Sequence, residues 1–205
     1  MHDLLSTFVF FFAVIDPVGT VPVFIAVTQS FEPAVRRRVA LRATLTATAV
    51  LMFFVIVGEL ILDGIGIPLE AFQIAGGIIL FLFALTMIFG EGKPSEELRL
   101  VDRAAETAIF PLAIPSIASP GAMLAAVLLT ENKANNLLEQ AITSGIMLSV
   151  LALVFLLLLA ATRIQRWIGA SGASVISRVM GLILASVAVN SVLAGIKDYF
   201  DLNPV

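Results

Sequence analysis

Phe12-Ala13-Val14-Ile15-Asp16-Pro17-Val18-Gly19-Thr20-Val21-Pro22 lies in the middle of a run, Leu4 to Thr28, in which Asp16 is the only charged residue. Such a run is long enough to cross about 30 Å of hydrocarbon as a helix. Asp16 and Pro17 interrupt it. Proline removes a backbone donor and crowds the preceding turn, and it pushes the residue before it out of helical geometry. Aspartate is a preferred N-cap and proline a preferred first helical residue, so the pair predicts a second helix starting at Pro17. Asp16 stands 12 residues from either end of the run. The break is therefore expected near the bilayer midplane, where exposed backbone survives only if protein, water or ligand satisfies it.

The same grammar recurs in Phe110-Pro111-Leu112-Ala113-Ile114-Pro115-Ser116-Ile117-Ala118-Ser119-Pro120-Gly121-Ala122. Ser119-Pro120 takes the place of Asp16-Pro17, near the middle of an apolar run from Ala108 to Leu129. Four more runs complete the pattern: Val39 to Leu62, Pro68 to Phe89, Ala141 to Thr162 and Ala173 to Ile196. Polar or turn-forming segments join them at Ser30 to Arg38, Asp63 to Ile67, Gly90 to Thr107, Glu131 to Gln140 and Arg163 to Gly172.

Composition agrees. Of 205 residues, 60% are apolar and 13% charged, against about 45–50% and about 25% in soluble domains. That excludes a soluble globular protein and leaves no length for a second domain, so residues 1–205 form a single transmembrane domain. The absence of cysteine excludes disulfides and thiolate metal sites, His2 is the only histidine, and a net charge of −3 does not suggest a nucleic-acid partner. The first run has no basic segment before it and no small-residue cleavage site, so it is kept as a span.

Basic residues orient the spans. Arg36, Arg37, Arg38, Arg42, Lys93, Arg99, Arg103, Arg163, Arg166 and Arg178 fall on one side, and Lys133 and Lys197 on the other. Because basic loops stay cytoplasmic, both termini are expected outside a cytoplasmic (inner) membrane crossed several times. The arginine cluster also suits lipid headgroups. Trp167 and Tyr199 suit the interfaces.

At offsets of 103 to 104 residues, Asp16-Pro17 matches Ser119-Pro120, Gly66 matches Gly169, Gly77 matches Gly181, and Thr86 matches Asn190. Each half holds three spans, an odd number, so a shared fold would be inverted. The expected fold is an all-α membrane protein: six transmembrane helices as two inverted three-helix repeats, the first and fourth helices broken at the midplane. Repeat one covers 1–90, a cytoplasmic loop 91–107, and repeat two 108–205. Inverted repeats are an architecture of secondary transporters.

The two restarted helices would bring two N-termini together, each with unpaired N–H groups and a partial charge of roughly +0.5. A substrate carboxylate would satisfy both, and Gly19, Gly121, Ala118 and Ala122 leave room for a small one. Asp16 is a candidate to receive an ammonium group or carry a coupling proton, and equally a simple cap for its own helix. Pro17 and Pro120 shape the breaks. Thr20, Ser116, Ser119 and Asn190 are candidate lining residues, with interhelical packing the plainer alternative. Thr86 is weaker. Gly76, Gly77 and Gly181 read as packing positions.

Asp16-Pro17-Val18-Gly19 with Pro22 and Phe24, Pro111-Leu112-Ala113-Ile114-Pro115 with Pro120-Gly121-Ala122, and the Ala75-Gly76-Gly77 and Met180-Gly181 patterns resemble the MarC family of bacterial and archaeal inner-membrane proteins. The resemblance runs over nearly the whole chain. It implies six spans in two three-span repeats and similarity to transporters of small neutral amino acids such as glycine and alanine. Thr20 stands where many members have Asn, and Ser119 where many have Gly. The expected function is a secondary transporter of small neutral amino acids, using alternating access and H+ or Na+ coupling, with no other cofactor and no metal. A channel or passive facilitator, or an exporter of another solute including a drug, is the alternative. No His-Glu-x-x-His sequence, no histidine beside a serine and no second deep aspartate support an enzyme.

Overall fold

The computed structural model describes residues 4–89, 104–132 and 135–201, the side chains of 104, 165–171 and 173 excepted. It contains helices α1 (Leu4–Ile15), α2 (Pro17–Thr28), α3 (Pro33–Ile65), α4 (Leu69–Phe89), α5 (Ala104–Thr107), α6 (Pro120–Leu128) and α7 (Leu137–Tyr199), with a wide-turn segment Ala108–Ile117 between α5 and α6. Among the described residues there is no strand. Five segments are long and apolar enough to cross a membrane, or six if the bent pair Ala105–Ile117 and Pro120–Leu128 counts as one. The protein is an integral, multi-pass, all-helical membrane protein.

Local chemistry explains the ends. Proline opens α2, α3 and α6, behind Asp16, Glu32 and Ser119 respectively. There the missing N–H costs no intrahelical bond. α3 stops at Gly66 in the left-handed region (φ 71°), whose N–H turns back to the Asp63 and Leu62 carbonyls. α7 starts with Asn136 and Glu139 capping each other's backbone N–H.

The Leu4–Thr28 segment forms the centre: 61% of its most apolar window is buried, against 22–33% for the other four spans. α7, α6 and Ala108–Ile117 pack around it, and α3 packs on the latter two and on α7. α4 lies against α7 in antiparallel register. Gly77 meets the Ala188 carbonyl and Val192, Gly181 meets the Ala84 carbonyl and Ile88, and Gly195 meets the Glu70 carbonyl and Ile74. Lipid supplies no hydrophobic drive between helices, so such close backbone approach is what holds them together. Exposed Ile56, Leu60, Leu82, Leu156 and Leu182 form the outer, lipid-compatible surface.

Three expectations change. Arg36, Arg37 and Arg38 belong to the opening turns of α3 rather than to a loop, because the extended Glu32 and Pro33 start the helix before apolarity does. Residues 163–172 are helical, not a turn; they contain no proline, and their residue types tolerate helix. The chain before Ser119 is not a regular helix: Phe110 (φ −129°, ψ 130°) and Ile114 (φ −130°, ψ 125°) are extended, as residues preceding Pro111 and Pro115 should be. His2, Lys93, Arg99, Arg103 and Lys133 lie outside the described residues, as do most of loop 91–107 and the side chains of Arg166 and Trp167.

Candidate functional site

Asp16 stands alone between α1 and α2 with left-handed backbone (φ 51°, ψ 65°). The helical thread is not lost there: Asp16 N–H donates to the Phe12 carbonyl and Thr20 N–H to the Asp16 carbonyl, each at 3.1 Å. What changes is the first turn of α2. Its Gly19 N–H donates to Asp16 Oδ1 at 2.9 Å, so the carboxylate folds over the start of its own helix. A methyl group on residue 19 would collide with that carboxylate. Glycine is favoured here by contact rather than by backbone angle, since a methyl would push the carboxylate off its cap.

Ser119 does the corresponding work at α6, with extended backbone (φ −70°, ψ 159°). Its Oγ accepts from Ala122 N–H at 3.1 Å and donates to the Val14 carbonyl at 2.7 Å. Proline at 17 and the turned backbone at 16 take the last carbonyls of α1 out of the regular ladder, and Ser119 supplies one of them with a donor. Beside this contact, Thr20 Oγ1 donates to the Asp16 carbonyl (3.0 Å) and lies 3.3 Å from the Ser116 carbonyl, while Ser116 Oγ donates to Thr20 Oγ1 at 3.4 Å. The segments on either side of Ala118 and Ser119 meet at 58°.

Asp16, Thr20, Ser116 and Ser119 are all at most 2% exposed. Pro17, Gly19 and Gly121 are buried and Pro120 half-buried. Eight of the nine candidate residues therefore gather at one sealed junction, where the start of α6 abuts the end of α1 and the Ala108–Ile117 segment abuts the first turn of α2. Asn190 is not brought there. The buried stripe of α7 runs through Gly181, Leu184, Ala188, Ser191 and Gly195, and Asn190 is exposed on the opposite side. Thr86 is exposed as well, its hydroxyl returned to the Phe83 carbonyl at 2.7 Å.

The junction combines one carboxylate, three hydroxyls, and the N-terminal N–H groups of two helices. Helix N-termini suit a carboxylate, and a carboxylate with main-chain carbonyls suits an ammonium group. Among the described residues no cluster of His, Asp or Glu could hold a metal ion. One long-range contact has no mark in the sequence: Glu59 Oε2 accepts from both the N–H and Nδ2 of Asn132 at 2.8 Å, tying α3 to the chain beyond α6. Glu59 at the end of an apolar run looks like an ordinary hydrated carboxylate. The Val14 carbonyl could not be found either, since a backbone acceptor leaves no mark in the sequence.

A family model described as MarC family integral membrane protein matches residues 1–200. A UPF0056 membrane protein of Methanocaldococcus jannaschii is 35% identical, the match covering 91% of this chain and 92% of the relative. The UPF0056 inner membrane protein YhgN of Escherichia coli is 34% identical over 96% of this chain and 98% of its own length. A Pyrococcus abyssi UPF0056 membrane protein is 35% identical over 98% of this chain and 100% of its own. No solved structure matches the chain.

Proposed function

The chain belongs to the MarC family of integral membrane proteins, and from that premise we propose that it is a secondary transporter carrying small neutral amino acids across the inner membrane by alternating access. The observation that carries this reading is the junction of Asp16, Thr20, Ser116 and Ser119, closed from solvent where two proline-started helices meet a third chain end. The substrate carboxylate would take the N-terminal N–H groups of α2 and α6, and its ammonium group Asp16 Oδ or the Val14 carbonyl. To bind, it would displace the Ser119–Val14 and Thr20–Ser116 contacts, so an amino acid with a small side chain fits best. H+ or Na+ is the proposed coupling ion.

Alternating access asks for two halves of similar fold and opposite direction. A shift of 104 residues exchanges the contact of Gly77 with Ala188 and Val192 for that of Gly181 with Ala84 and Ile88. It also carries the exposed positions Ile78, Ile79, Leu82, Thr86 and Phe89 onto the exposed Leu182, Ile183, Ser186, Asn190 and Leu193. A two-fold relation between the halves has this property, which supports the inverted repeat. The charge asymmetry of the sequence supports both termini outside, and the name of the relative YhgN supports the inner membrane. Burial of the junction favours a carrier over a permanently open pore.

The test is thermal stabilisation of purified protein across a panel of amino acids, followed by uptake into liposomes with and without pH or sodium gradients. Glycine, alanine and serine should stabilise the wild type and not Asp16→Asn, and uptake should be saturable and gradient-driven. Stabilisation by another solute class alone overturns the substrate assignment, and gradient-independent flux overturns the carrier.

A further inference from the structure

Asn190 is the residue that the junction leaves unexplained. It sits on the outward face of α7, within the apolar stretch Ser174–Tyr199. That stretch is about 39 Å long at about 1.5 Å per residue, against about 30 Å of hydrocarbon. Asn190 is seven residues, about 10 Å, from Lys197 and farther still from Arg178, the charged residues that bound the uncharged part of the stretch, so it lies inside the apolar layer.

Exposed hydroxyls on this surface return to their own helices: Thr86 to Phe83, Ser149 to Ile146 and Ser186 to Leu182. A carboxamide, with two donors and an acceptor, is not satisfied that way. Among the described residues the Asn190 side chain makes no hydrogen bond. Its short side chain also cannot reach the interface, unlike that of Lys197 two turns on. An amide facing lipid at this depth requires a partner from outside the chain.

We propose that the α7 face carrying Leu182, Ser186, Asn190 and Leu193 is the interface of a parallel homodimer, in which the two Asn190 carboxamides hydrogen-bond to each other. A second copy is the occupant that matches the chemistry. A two-fold axis along the membrane normal sets identical residues at identical depth. Asparagine is self-complementary, since each amide both donates to and accepts from its twin. Ser186, one turn away and small, allows the helices to approach, and Leu182 and Leu193 close the contact above and below. The inference rests on the membrane-spanning character of α7 and not on the transport reading.

The chain lacks cysteine, so single-cysteine variants report contacts directly. In membranes, oxidation should cross-link Asn190→Cys, Ser186→Cys and Leu193→Cys to dimers, and should leave Leu60→Cys on α3 and Leu156→Cys in the Leu137–Ile164 span of α7, both exposed elsewhere on the surface, as monomers. The purified protein in mild detergent or nanodiscs should have twice the 21.8 kDa chain mass. Asn190→Leu should raise the dissociation constant at least tenfold without lowering the unfolding temperature of the monomer, and Asn190→Gln should retain the dimer. Absence of cross-links at all three positions, a monomeric wild type, or a dimer unaffected by Asn190→Leu overturns the proposal. So does labelling of Asn190→Cys by a membrane-impermeant maleimide, which would place residue 190 on a water-filled path.

Discussion

Ser119 Oγ donates to the Val14 carbonyl at 2.7 Å across 105 residues of sequence while accepting from Ala122 N–H at 3.1 Å. One hydroxyl thus caps α6 and supplies a donor to a carbonyl at the end of α1. Both partners are buried, so the contact is a joint between two chain interruptions that water does not reach.

Replacing Ser119 by Ala should remove both bonds at once. Loss of a cap costs about 0.5–2 kcal/mol, and a buried carbonyl deprived of its donor about 1–3 kcal/mol. Equilibrium unfolding in detergent should show a loss above about 2 kcal/mol, and hydrogen exchange should rise at the Ala122 N–H. A loss below 0.5 kcal/mol, roughly the floor for a cap alone, would mean that the joint does not bear on stability.

Gly19→Ala should be destabilising because the new methyl meets the Asp16 carboxylate that caps Gly19. The collision disappears when residue 16 is shortened. In a double-mutant cycle, Gly19→Ala should cost markedly less in an Asp16→Ala background than in the wild type, with a coupling of about 1–3 kcal/mol. Additive effects would count against the contact.

Gly77→Ala and Gly181→Ala press a methyl against backbone carbonyls of Ala188 and Ala84, each about 3.1 Å away, which a side-chain rotation cannot relieve. Both should destabilise the protein by about 1–3 kcal/mol. Gly145→Ala, whose new methyl would meet nothing within 4 Å, should stabilise it by about 0.5–1 kcal/mol through helix propensity. Thermal unfolding of the three variants side by side checks the contrast.

Glu59→Ala should free Asn132, which contributes both its N–H and its amide to Glu59 Oε2. The contact is near the surface, so the loss of global stability should stay below about 1 kcal/mol. Its signature should be local: faster hydrogen exchange at Asn132 and easier proteolysis nearby, both restored by Glu59→Gln, which keeps an acceptor.

Much of the architecture follows from properties that each stretch of chain carries alone. Apolar length marks the spans, and Asp16-Pro17 and Ser119-Pro120 mark helix starts, because capping and proline sterics act within a few residues. The same locality explains the misplacements. Apolarity does not report where α3 begins, since Glu32 and Pro33 start it among polar residues. Nothing in residues 163–172 forbids helix, although their polarity resembles a loop.

Side-chain partnership is a different kind of fact. The residue types at 14, 119, 20 and 116 are compatible with many pairings, and packing of α6 and the Ala108–Ile117 segment against α1 and α2 selects one. Asn190 is polar like the candidate site and takes the repeat position of Thr86, yet helix rotation in the packed bundle turns it outward. Hydropathy and backbone preference are short-range and so are written in the sequence; which groups meet inside the bilayer depends on how distant helices pack, and only the tertiary structure decides that.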